Sequence, residues 1–277
     1  MSETPPIDDY AWARRAEIER WLAAPPDWGT RVMSRPGQVA AKAAQRLVPV
    51  EVLRASLRAL DRTAGRFSGP RDILRWAGAE HVADIAGFGL QRCDELALRV
   101  ERRAMALGGG SGAAFGIGGA AGMVADVPTL LTLALRTIHR SAYCYGEDWH
   151  AEGGLSIGVF ALASANSFEE KQQAWEALRR DVPMLDAAWR DGVERVAERE
   201  LAKDAAQFSL KTLSGRIGLH LGTRKGAGVA PVIGAVIGGV INAGYIRDIA
   251  RVARYVLQDR WMRRRLPQLE AEVERTR

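Results

Sequence analysis

Apolar positions recur three and four residues apart along most of the chain, and no run alternates apolar and polar residues between hairpin signals. The pattern predicts an all-α fold. From about Asp9, an N-cap candidate, the residues Trp12, Ala16, Ile18 and Leu22 mark a first helix to Ala23, stopped by Pro25-Pro26. A linker with Trp28 and Gly29 reaches Pro36. Helices are then expected over 39–48 and 50–67, on either side of Pro49, and from about Ala79 towards Ala106. Asp126-Val127-Pro128-Thr129 reads as a helix start, because Asp126 can accept from free backbone N–H groups and Pro128 falls in the first turn. That helix should run through Leu130, Leu133 and Ile138 to about Tyr145 and stop at Gly146. Ser167-Phe168-Glu169-Glu170 is a capping-box pattern opening a helix through Trp175 to Leu178. Between Leu185 and Leu201, apolar residues three or four apart among mixed charges predict a core-facing amphipathic helix.

Two segments break the amphipathic pattern. Ala104–Ala125 and Gly226–Ile246 are uncharged over the length that crosses a bilayer, about 20 residues. Their content argues against spontaneous insertion, since Gly and Ala gain little from hydrocarbon compared with Leu, Ile, Phe or Val. Small residues instead fall four apart on one helical face: Gly108, Gly112, Gly116 and Ala120, then Gly118 and Gly122, and Gly234, Gly238 and Asn242. Such stripes let backbones approach closely, and each is expected to pack on the other. The result would be one multi-helix domain with a central pair of glycine-zipper helices. Its boundaries are read as an N-terminal helix and linker over 1–25, the domain over 26–265 and a tail over 266–277.

The next stretch carries the charge. Ile246, Ile249, Ala250, Ala253, Val256, Leu257 and Trp261 define one face, with Arg247, Arg251, Arg254, Gln258 and Arg265 largely on the other. Between Arg247 and Arg265, seven Arg against Asp248 and Asp259 leave +5, nearly all of the chain's net +6. A basic amphipathic helix with Trp261 and Tyr255 suits an anionic leaflet, where each basic residue contributes on the order of 1 kcal/mol. No nucleic-acid-binding motif accompanies it, so DNA or RNA is the weaker partner. The 277 residues, 47% hydrophobic, suffice for a sizeable core. Two cysteines, Cys93 and Cys144, are too few for a disulfide framework, and the polar opening residues Ser2, Glu3, Asp8 and Asp9 show no secretory signal. Both point to the cytoplasm.

Gly116-Ile-Gly-Gly-Ala-Ala-Gly-Met-Val-Ala-Asp126-Val-Pro128, Leu133 to Arg136 and Tyr143-Cys-Tyr145-Gly146-Glu-Asp148 together resemble the central signature of the EcsC family. Pro231-Val-Ile-Gly234-Ala-Val-Ile-Gly238-Gly-Val-Ile-Asn242-Ala-Gly-Tyr245 is a second match in the family's order, and the resemblance spans about Trp21 to Trp261. That family takes its name from a bacterial gene beside those of an ABC transporter. The resemblance implies a helical protein associated with the cytoplasmic membrane, with recurring positions at Asp126, Pro128, Arg136, Gly146, Pro231, Gly234, Gly238 and Asn242. It implies no reaction.

Other chemistry is thin. Gly154-Leu-Ser156-Ile-Gly158 has nucleophile-elbow spacing, with Asp204 and His220 in triad order, but nothing before Ser156 reads as the strand that motif requires. Glu147 and His150 have the Glu-x-x-His spacing of a di-metal bundle, which needs the motif twice. It occurs once, and no metal or cofactor is expected. The glycines lack the Lys-Ser/Thr of a phosphate loop.

The reading that results is a cytoplasmic binding or accessory protein, peripheral to the inner membrane, whose partner is an anionic membrane surface or a membrane protein complex. Arg251, Arg254, Trp261, Arg263, Arg264 and Arg265 are the lipid-binding candidates; Gly112, Gly116, Gly118, Gly122, Gly234 and Gly238 are the helix-packing ones. The alternative is a hydrolase or lipid-modifying enzyme with Asp126, Arg136, Tyr145 and Asn242 around a polar pocket. A soluble scaffold for a protein partner is the third reading.

Overall fold

The computed structural model describes residues 8–25, 59, 61–117, 119–149, 154–165, 167–180 and 223–276, with side-chain surroundings left out at 115–128, 223–234, 237–238 and 266–276. Every regular element among them is a helix, as the periodicity requires. The predicted helices over 39–48 and 185–201 lie outside the described residues, and of the one over 50–67 only residues 59 and 61–67 are described, helical up to 66.

Helix α1 spans Asp9–Ala23, with Asp8 rather than Asp9 as N-cap, its carboxylate accepting from the Ala11 N–H at 2.9 Å. Helix α2 (Arg71–Ala77) ends on Gly78 at φ 70°, the left-handed cap that frees the chain to turn. The single helix expected from Ala79 to Ala106 is instead two: α3 (Val82–Ile85) and α4 (Leu90–Ile117). The break falls at Gly87-Phe88-Gly89, where the chain must turn to bring Ala86 against Gly146. A Cβ at Gly146, which has φ 76°, would land inside the Ala86 backbone. Only glycine meets both demands there.

Helix α5 spans Gly119–Tyr143 and so begins seven residues before Asp126. Asp126 lies within the helix and Pro128 beyond its first turn; the cap reading is corrected. Ala120, Ala121 and Ala125 are strong helix formers that carry the helix through the glycines, whose individual cost is about 1 kcal/mol. Helix α6 (Leu155–Ser164) is apolar on all sides, and nine of its ten residues are buried, so it is an interior helix. Its Gly158 lets α7 (Phe168–Arg179) sit close, since a Cβ there would come 2.7 Å from Leu178 Cδ2. Ser167 caps α7 by accepting from the Glu170 N–H at 3.1 Å, as its sequence pattern indicates.

Helix α8 (Thr223–Thr276) packs along α4 more extensively than any other described pair. The closest approach is at glycine: a Cβ on Gly239 would sit 3.0 Å from the Gly109 carbonyl oxygen, and one on Gly108 would sit 3.0 Å from Ile246 Cγ1. The two small-residue segments therefore do meet, through Gly108, Gly109 and Gly239. The surroundings of Gly116, Gly118, Gly122, Gly234 and Gly238 lie outside the described side chains, and Gly112 is buried. Below this crossing the predicted apolar stripe of α8 enters the core with Leu96, Leu130, Leu135, Ile138 and Phe160. Burying each such side chain contributes roughly 1.5–3 kcal/mol.

Helix α1 is tied to this body by polar contacts. Lys171 of α7 is 2% exposed and donates to the carbonyls of Trp21 and of Ala24, the latter at 2.9 Å, with its ammonium over the Trp21 ring. A cation there satisfies the free carbonyls at the helix C-terminus. Tyr255 of α8 donates to Glu17 at 2.8 Å.

Candidate functional site

Of the four residues expected to line one polar pocket, Arg136, Tyr145 and Asn242 have different described surroundings. Tyr145, just past α5, is fully buried, and its hydroxyl donates to Asp94 of α4. The same carboxylate accepts from Tyr10 at 2.7 Å and from Gln258 at 2.8 Å, so it joins α1, α4, α8 and the end of α5. Burial, then the Asp94 charge, raise the Tyr145 hydroxyl well above its ordinary pKa. It is a fixed donor. Asn242 is buried in α8 at the Gly108 crossing. The Asp126 side chain lies outside the described surroundings.

The arginines of α8 are largely matched to carboxylates. Arg254 faces Glu101 at 3.3 Å, and Arg251 and Arg247 face Asp248 at 3.1 and 3.8 Å. Asp259 forms an ion pair with Arg263 at 2.9 Å and accepts from Nη2 and Nε of Arg179 at 2.5 and 3.2 Å. Glu147, from the loop after α5, accepts from Arg260 at 2.9 Å, Arg264 at 2.7 Å and the Trp149 indole at 2.7 Å. This is the use of Glu147, whose candidate partner His150 lies outside the described residues. Arg265 is only 5% exposed, stacked 3.7 Å over the Trp261 ring and donating to the carbonyls of Ala86 at 2.7 Å and Phe88 at 3.4 Å. Burial pushes its pKa down to about 10, still protonated at neutral pH. Trp261 is buried and donates to the Phe88 carbonyl at 3.1 Å. Trp261 and Arg265 are thus core residues that pin α8 to the turn before α4, and the sequence-based assignment of these two to a lipid surface is corrected. The carbonyls of Ala86 and Phe88 in the turn before α4 draw both side chains inward.

Ser156 has a histidine and a carboxylate nearby, but in the wrong order for an activated nucleophile. Its hydroxyl donates to Asp61 Oδ1 at 2.8 Å, and His139 Nε2 lies 2.9 Å from that same oxygen. A triad places the histidine between serine and carboxylate; here the carboxylate is in the middle. Ser156 also lies in the first turn of the buried α6 rather than on a strand-to-helix elbow. The two thiols are buried, and burial raises Cys93 to about 12 and Cys144 higher still. Neither is a thiolate at neutral pH.

A cavity of about 170 Å³ opens between α2, α4 and α5, with Asp72, Arg103, Arg136 and Arg140 on its polar side and Val100, Leu107 and Leu133 among its apolar walls. Asp72 Oδ2 receives Arg140 at 2.6 Å and Arg103 at 3.0 Å. Burial raises the Asp72 pKa, and the hydrogen bonds and charges of these arginines outweigh it, so its carboxyl stays below its ordinary value. Arg140 also donates to the Gly69 carbonyl, and Arg103 stacks 4.2 Å over the Trp76 ring. Arg136 differs from both. Its buried Nε has no hydrogen-bond partner, and no carboxylate is within ion-pair reach among the described residues. Burial and the neighbouring Arg140 charge lower its pKa, partly opposed by Asp72. Of the four pocket candidates, Arg136 lines this cavity and Tyr145 and Asn242 do not; sequence spacing could not supply Asp72 and Arg103 as its neighbours, because they lie far away along the chain.

An all-helical bundle centred on a long helix, a glycine crossing and a buried apolar helix is the class these features define. The EcsC protein family model matches residues 13–262, and the chain belongs to that family. No curated protein and no solved structure matches the chain. Among the described residues, no helix is long and apolar enough to cross a membrane, and no group of three or more His, Cys, Asp or Glu is placed to hold a metal ion.

Proposed function

We propose that this EcsC protein works by binding, attaching peripherally to an anionic membrane surface on the cytoplasmic side. The observation that carries the reading is an asymmetry in how arginine is used. The buried acids Asp94, Glu101, Glu147 and Asp259 are engaged with residues on α8, whereas Arg62, Arg66, Arg71, Arg75 and Arg99 are exposed and have no ion pair among the described residues. Arg71, Arg75 and Arg99 lie on α2 and α4, two of the helices that line the Arg136 cavity, and Arg62 and Arg66 lie on the helical stretch before α2. Phe67 and Leu107 are 69% and 55% exposed in the same segments. Unpaired cations beside exposed apolar side chains suit a headgroup region better than open water.

The reading moves the docking charge away from the arginines of α8, which are held by carboxylates and carbonyls. Co-sedimentation with vesicles tests it. Binding should need anionic lipid, weaken at high salt because exposed charges are screened, and be stripped by a high-pH carbonate wash. Equal recovery with zwitterionic and anionic vesicles would refute it, and binding that survives both washes would mean insertion rather than docking.

A further inference from the structure

Arg136 is the feature of the described residues least explained by folding. A half-buried guanidinium beside a second arginine, without a carboxylate of its own, destabilises the chain unless something else offsets the charge. The cavity it lines supplies the place. Three guanidinium groups face one carboxylate, Asp72, so the polar wall carries a surplus of +2. Asp72 is already engaged by Arg103 and Arg140, which limits its repulsion of an incoming anion. Arg103 is held against Trp76 and Arg140 by the Gly69 carbonyl, so both are oriented before any ligand arrives. Arg136 keeps its donors free, and an arginine fork matches the oxygens of a phosphate or carboxylate two at a time.

Volume and wall chemistry narrow the ligand. At about 170 Å³ the cavity compares with an engineered protein cavity of about 150 Å³ that admits benzene, so it has room for an oxyanion and a few attached carbons. Leu107 and Leu133 give those carbons an apolar side, and Leu107 continues it to the surface. A phosphate monoester, at about −1.5 to −2 near neutral pH, balances the surplus; a phosphodiester at −1 does not.

We propose that the cavity between α2, α4 and α5 is a binding site for a phosphate monoester presented by a lipid headgroup, with Arg136 as its principal ligand-binding residue. The proposal rests on the docking reading for the lipid source. The pocket itself does not.

The test compares vesicles of zwitterionic lipid doped with phosphatidic acid, the simplest phosphomonoester lipid, against vesicles doped with phosphatidylglycerol to equal surface charge. The wild type should prefer phosphatidic acid by about tenfold, the scale of one charge-assisted bidentate contact. Arg136→Gln should erase that preference while leaving the phosphatidylglycerol level nearly unchanged, Arg136→Lys should keep part of it, and Arg247→Gln, an equal change in net charge on α8, should keep the preference and hold binding to either lipid within about twofold of the wild type. Circular dichroism melting confirms that each variant is folded. Equal binding of the two lipids by the wild type, or a preference that survives in Arg136→Gln, overturns the proposal. A parallel arm measures the melting shift with glycerol 3-phosphate: a shift lost in Arg136→Gln supports the pocket even if no vesicle binds, in which case the docking reading and the lipid source fail together. No shift and no preference removes the pocket as well.

Discussion

The arginines of α8 and those around the α4–α5 cavity are the same residue put to opposite uses. On α8, Arg254, Arg260, Arg263 and Arg264 each face a carboxylate of low exposure, Glu101, Glu147 or Asp259, and Arg265 is folded into the core over Trp261. Around the cavity, Arg103 and Arg140 share one carboxylate and Arg136 has none of its own. A run of arginine in sequence thus says little about surface potential, because the compensating acids come from distant parts of the chain. Glu147 lies 117 positions from Arg264 and Glu101 well over a hundred from Arg254. In the densest basic stretch every arginine but the core-buried Arg265 has a carboxylate within reach, whereas Arg136 has none among the described residues.

Breaking the matched side should have the largest effect. Glu147→Ala leaves Arg260, Arg264 and the buried Trp149 indole without their acceptor and should cost about 3–5 kcal/mol in denaturant unfolding, as loss of one partner of a buried ion pair does. A cost below about 1 kcal/mol would mean these arginines are free to leave the carboxylate and the contrast is false. Gly146→Ala attacks the same anchor through the backbone, since it pushes the loop bearing Glu147 away from Ala86, whose carbonyl holds Arg265. With a left-handed conformation and a steric overlap combined, about 3 kcal/mol is expected, read as a lower melting temperature.

An alkaline titration sharpens the contrast between buried and free polar groups. Cys93 rises from its ordinary 9.0 to about 12 in the folded chain, and Cys144 and Tyr145 are raised too, each first by burial. Above pH 9 the unfolded chain releases protons that the folded chain keeps, so stability should be full below that point and fall as pH climbs towards 12. At neutral pH both thiols should resist alkylation until the protein is unfolded. The smallest effect is expected on the unmatched side: Arg136→Gln should change stability by less than about 0.5 kcal/mol, or raise it, because no ion pair is lost.

Much of the fold was legible in the sequence because it is local. The α1 span, the Ser167 cap, the Gly146 stop and the apolar stripe of α8 follow from spacing and cap chemistry that act within one or two turns. The α5 start was misread because an Asp-x-Pro cap signal competed with an alanine-rich run that propagates helix, and propagation prevailed. The turn at 87–89 was missed although Gly87 and Gly89 mark it. Ser156 lies in a helix, as the lack of a preceding strand indicates, and the uncharged run of α6 around it is the signal of an interior helix. The candidate site was legible in one residue, Arg136. Asp72 and Arg103 join it only through packing of α2 on α4, which no spacing encodes, and the same long-range packing turned Trp261 and Arg265 inward.

The central claim, that docking charge lies around α2 and α4 rather than on α8, is tested most directly by sedimenting paired charge variants with anionic vesicles at low salt. Arg71→Gln with Arg75→Gln should weaken binding more than tenfold, at about 1 kcal/mol for each charge near the surface. Arg247→Gln with Arg251→Gln should stay within about twofold of the wild type, since both arginines already face Asp248. The reverse order of effects would place the membrane on α8 and contradict the account.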